Sequence, residues 1–215
     1  MIIAVDGPAA SGKGTLARRL AAHFGLAHLD TGSLYRAAAF EALSRGADPA
    51  DPVAAEAAAW RVRPAMLGDP RLRSIAVTEA SSVIAAIPTV RAALLTFQRD
   101  FAYGFHDGKR GAVLDGRDIG TVVCPDATVK LFITATPEAR AQRRFEELRA
   151  GGAGVIYQGV LQDMRERDAR DSGRQAAPLR PAADALVLDT TTLDADAAFA
   201  AALAFIDGRL AGNPL

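Results

Sequence analysis

Cysteine, histidine and lysine are scarce in this chain of 215 residues. Cys124 is the only cysteine, which excludes an internal disulfide and a multi-cysteine metal site. In VVCPDA, beside an apolar run, it reads as a small buried residue. The three histidines, His23, His28 and His106, lie outside the motifs described below. They are read as incidental, and no His-centred catalytic constellation is expected. Only Lys13, Lys109 and Lys130 are lysines among 25 basic residues. With alanine so abundant, arginine richness reflects composition, and only the position of each arginine is informative. Basic and acidic residues balance at 25 each, giving no support for binding to nucleic acid or a membrane surface. No run approaches the roughly 20 apolar residues of a membrane span. The amino terminus lacks a signal peptide's basic region and cleavage site, so a cytoplasmic location is expected. There is no internal repeat, and no N-K-x-D guanine motif that would suggest a GTPase.

Half of the residues are apolar, enough for one sizeable core in a single domain. Short apolar runs at 2–6, 25–30, 112–116, 129–134 and 185–189 read as strands. Helical segments alternate with them, among them 14–24, 32–45, 90–105 and 137–150. Such alternation predicts an α/β domain with a five-stranded parallel sheet and a ligand crevice at the strands' carboxyl ends. Two stretches interrupt it. Residues 47–74 are rich in Pro and Asp, with one uncertain helix at 53–60, and residues 151–181 run from GGAG to PLRP. The core is therefore expected at about 1–46, 107–150 and 182–215. Residues 47–106 form an insertion and 151–181 a second excursion, and a helix covers the carboxyl-terminal end.

GPAASGKGT, spanning Gly7, Pro8, Ala9, Ala10, Ser11, Gly12, Lys13, Gly14 and Thr15, follows the first strand and opens the first helix. Glycines allow backbone amides to wrap phosphate oxygens, the helix dipole favours an anion, and Lys13 reaches the outer phosphates. A Gly-rich turn that binds nothing is the plain alternative, disfavoured because strand, loop and helix are all present. Gly14 occupies the position where Ser or Thr usually serves the metal ion, and the hydroxyl arrives one residue late, at Thr15. This GKGT form resembles adenylate kinase and other nucleoside monophosphate kinases, in which phosphates and water largely hold magnesium.

LDTGSLYR (29–36) follows the second strand. Thr31 can cap the next helix there, with Tyr35 and Arg36 further along. ASSVIAAIPTVRAAL (80–94), LDGRDIGTVVCPDATVKLF (114–132) and RERDARDSGRQAAPLRPAADALVLDTT (165–191) complete a co-linear set covering most of the chain. Together these segments resemble the bacterial cytidylate kinases, P-loop kinases of the nucleoside monophosphate kinase family. The resemblance implies Mg²⁺-dependent phosphoryl transfer from ATP to CMP or dCMP, by a monomer without nucleic-acid or membrane partners. Arg36, Arg117 and Arg174 would hold the acceptor phosphate. Ser82, Arg91 and Asp118 would read the cytosine edge, and Arg167 and Asp171 would contact the ribose. Lys13, Arg117 and Arg174 would be the catalytic cations. Asp115 sits where a Walker-B-type carboxylate would face the metal through water, although DG is also a common turn pair.

The chemistry is compatible with that resemblance. Two phosphates brought together repel, and arginine's planar fork binds phosphate oxygens bidentately. The acceptor phosphate's second pKa is about 6, so no general base is required. For each residue the alternative is an ordinary ion pair, and RERDARDSGR alone would read as a solvated helix face. Arg140, Arg143 and Arg144 either face the donor phosphates when a lid closes or lie on charged surface. Many family members carry a longer insertion with a small separate sheet. Here the interval is short and Pro-broken, so a shortened acceptor lobe and a short lid after GGAG are expected. Two other functions are compatible: a P-loop kinase for another nucleotide or small metabolite, and a nucleotide-binding switch without turnover.

Overall fold

Five apolar runs pair in parallel: β1 (Ile2–Asp6), β2 (Ala27–Asp30), β3 (Ala112–Gly116), β4 (Val129–Thr134) and β5 (Leu186–Asp189). Their spatial order is β2-β3-β1-β4-β5. The computed structural model describes residues 1–104, 106 and 108–212. β1, β3 and β4 have the boundaries expected from the sequence, whereas β2 begins at Ala27 rather than residue 25. Gly25 is still finishing the preceding helix: its φ is 64°, and the Leu26 amide donates to the Ala21 carbonyl at 2.8 Å.

Parallel strands need crossovers, and here the crossovers cover both faces of the sheet. α1 (Lys13–Phe24) and α8 (Ala195–Gly212) pack on the face formed by Ile3, Val5, Val113, Leu131 and Ile133. α2 (Thr31–Ser44), α3 (Pro52–Trp60), α4 (Ile75–Ile84) and α5 (Pro88–Tyr103) enclose the opposite face, formed by Ala4, Leu29 and Leu114. Strand parity makes this division. Since Asp30 pairs with Asp115 and His28 with Val113, all four side chains lie on the α1 face.

Local chemistry starts the helices of the insertion. The Asp51 side chain accepts from the Val53 amide before α3, Ser74 accepts from Val77 before α4, and Pro88 opens α5. The Pro-rich interval after α3 forms two short 3-10 turns, Pro64–Met66 and Pro70–Arg73. Among the described residues between 47 and 104 there is no strand. α4 had not been legible as a helix, because its residues follow a run broken by Pro64 and Pro70.

α6 (Pro137–Ala150) and α7 (Tyr157–Gly173) form a helical hairpin joined through the GGAG stretch. Ala141, Val160, Leu161 and Met164 make its own small core, against which Ala9 and Ala10 of the phosphate loop pack. The hairpin therefore rests directly on that loop.

Two glycines of the loop differ in what they require. At Gly7 φ is 149°, and a Cβ would stand 2.0 Å from the Ile133 carbonyl oxygen. At Gly14 a Cβ would meet only side-chain atoms of Arg18 and Asp115, at 3.6 and 3.8 Å. Gly7→Ala is expected to lower the unfolding free energy by roughly 3 kcal/mol or more. Gly14→Ala, inside a helix, should leave it unchanged or raise it by up to about 1 kcal/mol. Urea unfolding of both variants checks this, and equal losses would contradict it.

Candidate active site

Beyond Asp6 the chain turns through positive φ at Gly7, Ala10 and Gly12 before α1 begins at Lys13. Such turns aim successive amides at one point, a natural anion cradle. The loop is held from outside. Arg140, buried between α6 and α7, donates to both carboxylate oxygens of Asp168 (3.1 and 2.6 Å) and to the Ala9 carbonyl at 3.4 Å. The Thr190 hydroxyl donates to the Ser11 carbonyl at 2.9 Å, and Arg143 donates to Thr190. Arg144 pairs with Glu147 of its own helix at 2.8 Å. Each of these three arginines thus has a partner other than a phosphate, and Arg140 and Arg143 act on the loop from behind. The Thr15 hydroxyl is exposed and accepts from Arg18.

A cavity of about 190 Å³ opens beside Lys13 and Gly14, at the carboxyl ends of β2 and β3. Thr31, Arg36, Ser82, Arg91, Arg117, Asp118, Arg167, Asp171 and Arg174 all line it, and so does Asp115. These residues come from α2, α4, α5, the turn after β3, and α7 with its end. The fold thus brings together every acceptor-side residue singled out in the sequence. Of the phosphate loop, only Lys13 and Gly14 reach this cavity.

The lining is a lattice of guanidinium and carboxylate groups. Arg36 pairs with Asp30 at 2.6 Å, Arg91 with Asp118, and Arg117 with Asp171 at 3.0 Å. Arg174 stands 3.8 Å from Asp171 and donates to the carbonyls of Ala85 and Ala177. Arg91 also donates to Ala85, so the end of α4 anchors two arginines. Arg167 has no carboxylate partner among the described residues. Burial, then the neighbouring Arg117, lowers its guanidinium to about 10. Burial works against ionisation of Asp171, yet Arg117, Arg167 and Arg174 together hold it below the usual carboxylate range. Ser82 accepts from Arg170 of α7 at 3.2 Å, a contact between α4 and α7 for which the sequence held no signal.

Among the described residues, five buried side-chain polar atoms lack a hydrogen-bond partner, and three of them are Nε of Arg36, Arg167 and Arg174. Six cationic side chains face four carboxylates around the cavity, an excess of two positive charges when all are ionised. Buried donors of this kind call for an acceptor. A lining of this charge suits an anion.

Two expectations are corrected. Thr31 does not cap α2. Asp30 occupies the cap position with its carboxylate turned to Arg36, and the Thr31 hydroxyl donates to the Asp115 carbonyl at 2.8 Å. Nor is His28 incidental: its Nε2 lies 2.8 Å from Oδ2 of Asp115. Among the described residues no three His, Cys, Asp or Glu side chains come together as a metal site. Asp115, buried and facing the loop, is the carboxylate available there. That donor set fits a metal ion carried by phosphates and water with Asp115 alongside, not one held by the protein alone.

The cytidylate kinase family model matches residues 3–207. The chain belongs to the cytidylate kinase family. It is 61% identical over 203 residues to the cytidylate kinase of Rhodospirillum rubrum, covering 94% of this chain and 95% of that protein. It is 59% identical over 218 residues to that of Methylocella silvestris, covering 100% of this chain and 99% of that one. A solved structure of an uncharacterized protein from Eubacterium ventriosum is similar in fold, with a TM-score of 0.55 at 17% identity over 97% of this chain and 98% of that one. Family membership implies ATP as the phosphoryl donor and a nucleotide as the acceptor.

Lys13 lines the cavity and also ends the phosphate loop, opening α1. Burial lowers its ammonium to about 7; Arg117 adds to the shift, while Asp115 and Asp30 oppose it. Between about 7 and the ordinary 10.5, the folded chain binds fewer protons than the unfolded one, so this group makes stability rise with pH across that window. Phosphate oxygens favour the charged form. Binding of ATP at about pH 8 is therefore expected to take up close to one proton, and Lys13→Met should abolish the uptake. Calorimetry in buffers of different ionisation enthalpy measures it. A wild-type heat independent of buffer would contradict the assignment.

Proposed function

We propose that this chain catalyses transfer of the γ-phosphoryl group of ATP to CMP or dCMP, giving ADP and CDP or dCDP. The observation that carries the reading is the arginine cavity beside Lys13, where three buried guanidinium Nε atoms lack partners. An acceptor phosphate supplies oxygens to the donors of Arg36 and Arg174 and offsets the positive excess of the lining. Arg36, Arg117 and Arg174 bind that phosphate, while Arg167 and Asp171 bind the ribose. Thr31, Ser82, Arg91 and Asp118 face the rest of the nucleotide. The Arg91–Asp118 pair offers donors and an acceptor to the amino, ring-nitrogen and carbonyl groups of cytosine. Their mutual salt bridge holds both in place before the base arrives.

Gly7 to Thr15 wrap the donor's phosphates, and Lys13 bridges them to the acceptor. An oxygen of the acceptor phosphate bonds to the γ-phosphorus as the bond to the β–γ bridging oxygen breaks, and ADP departs with that oxygen. No side chain need remove a proton, because the acceptor oxygen is already ionised near neutral pH. Asp115 would face a magnesium ion bound with the donor, and that ion would supply neutralising charge to the donor phosphates. Arg117 and Arg174 stabilise charge on the transferring group.

Residues 47–106 serve as a shortened acceptor lobe and 151–181 as lid and substrate segment. Contact of the α6–α7 hairpin with Ala9 and Ala10 supports the lid assignment. The chain is read as a monomer whose partners are small nucleotides.

ADP release with ATP and Mg²⁺ is to be measured against CMP, dCMP, UMP, AMP, GMP, dTMP and hydroxyl acceptors. CMP and dCMP should dominate; turnover no higher than the acceptor-free blank with both would overturn the reading. Asp118→Ala should reduce the preference for CMP over UMP by about ten-fold or more, the worth of a charged hydrogen bond. An unchanged ratio would refute the role given to Asp118.

A further inference from the structure

His28 is the one histidine that meets a carboxylate among the described residues. His23 packs its ring against Phe24 and Phe199, and His106 bonds the Phe101 carbonyl. On β2, His28 lies level with Val113 and Asp30 level with Asp115. His28 therefore reaches Asp115 on the diagonal, along the face that carries α1. Asp115 is 3% exposed, and its main chain is fixed by the pairing of β3 with β1 and β2 and by the Thr31 hydroxyl. The remaining freedom is rotation of its carboxylate. Oδ2 lies 2.8 Å from His28 Nε2, while Oδ1 stands 3.8 Å from the point where Gly14 would carry a Cβ. An ionised carboxylate only accepts hydrogen bonds, so the imidazole donates from Nε2.

We propose that His28 is a positioning residue: its Nε2–H holds the Asp115 carboxylate by Oδ2, so that Oδ1 faces the phosphate loop at Gly14 and the hydration shell of the nucleotide's metal ion. The inference rests on the reading of Asp115 given above. Without the imidazole, Oδ2 loses its donor in a buried setting, and the nearby Lys13 ammonium becomes the competing partner. That would divert the carboxylate from the metal ion and the lysine from the phosphates. A hydrogen-bonded outer partner of this kind typically changes metal affinity by about 10- to 100-fold.

The test compares two donorless variants, His28→Phe and His28→Leu, with His28→Gln, which keeps a side-chain N–H donor. Calorimetry measures ADP affinity with and without Mg²⁺, and kinetics gives the Mg²⁺ concentration for half-maximal rate. In wild type and His28→Gln, Mg²⁺ should strengthen ADP binding by the same factor. In His28→Phe and His28→Leu that factor should fall about ten-fold, with the KM for CMP unchanged. Equal Mg²⁺ enhancement in wild type and a folded donorless variant would overturn the proposal. So would a folded His28→Gln that loses as much as the donorless pair. If wild-type ADP affinity ignored Mg²⁺ altogether, the metal-facing reading of Asp115 would fall first and this inference with it.

Discussion

Buried guanidinium groups must be neutralised whether or not a nucleotide is present, and the rest of the site is arranged around that constraint. Asp30, Asp118 and Asp171 supply the counter-charge in the free protein. Removing one partner of Arg91–Asp118 or Arg117–Asp171 leaves a buried charge uncompensated, at a cost of about 3–5 kcal/mol; the more exposed Arg36–Asp30 pair is worth less. The carboxylates keep the arginines aligned along the cavity wall. They also leave selected donors unspent, because Nε of Arg36, Arg167 and Arg174 have no partner. On the proposed reading the site is assembled before a phosphate enters, and the large ordering entropy of long side chains is met at folding rather than at binding.

The same constraint explains why the donor and acceptor halves are tied together through the backbone. Asp6 closes β1 just before the phosphate loop, and its carboxylate accepts from the amides of Ile119 and Gly120 at 2.8 and 2.7 Å. These amides begin the π-helical turn Ile119–Val123, immediately after Asp118. The carboxylate that pairs with Arg91 is therefore pinned to the strand that presents Lys13's loop. Burial raises Asp6 to about 7 while the two amide bonds oppose the shift. Because the folded value lies above the ordinary 3.8, the folded chain binds more protons than the unfolded one between about 3.8 and 7, so this group's contribution to stability falls as pH rises through that window. On the other side, Arg140 and Thr190 hold the loop's carbonyls from the hairpin and from the turn after β5.

Much of this was legible in the sequence, for identifiable reasons. The strands were visible because a parallel sheet covered on both faces demands near-continuous apolar runs. β2 was set too early because Leu26 is apolar but belongs to the cap of α1. The residues that the resemblance assigns to the acceptor lie in motifs that follow the family's chain order, and the fold draws all nine to one cavity. What stayed hidden was pairing. Asp30, the Ala85 carbonyl, Asp168 and Arg170 are unremarkable in one dimension, since their partners lie on other elements. His28 looked incidental for the same reason, although strand alternation places His28, Asp30 and Asp115 on one face once the β2–β3 register is known. Thr31 misled as a cap because a hydroxyl at a helix start has two uses, and the nearby Asp115 carbonyl takes the proton.

If the lining arginines hold the acceptor's phosphate, the buried and unpaired Nε–H groups of Arg36 and Arg174 are the donors it reaches. Nitrogen-15 NMR of arginine side chains observes those groups directly, with CMP added to one sample and cytidine to another. The account predicts that CMP shifts the Nε–H signals of Arg36 and Arg174 and slows their exchange with water, while cytidine leaves those two near their free positions. Signals that ignore CMP, or that respond equally to cytidine, would contradict it.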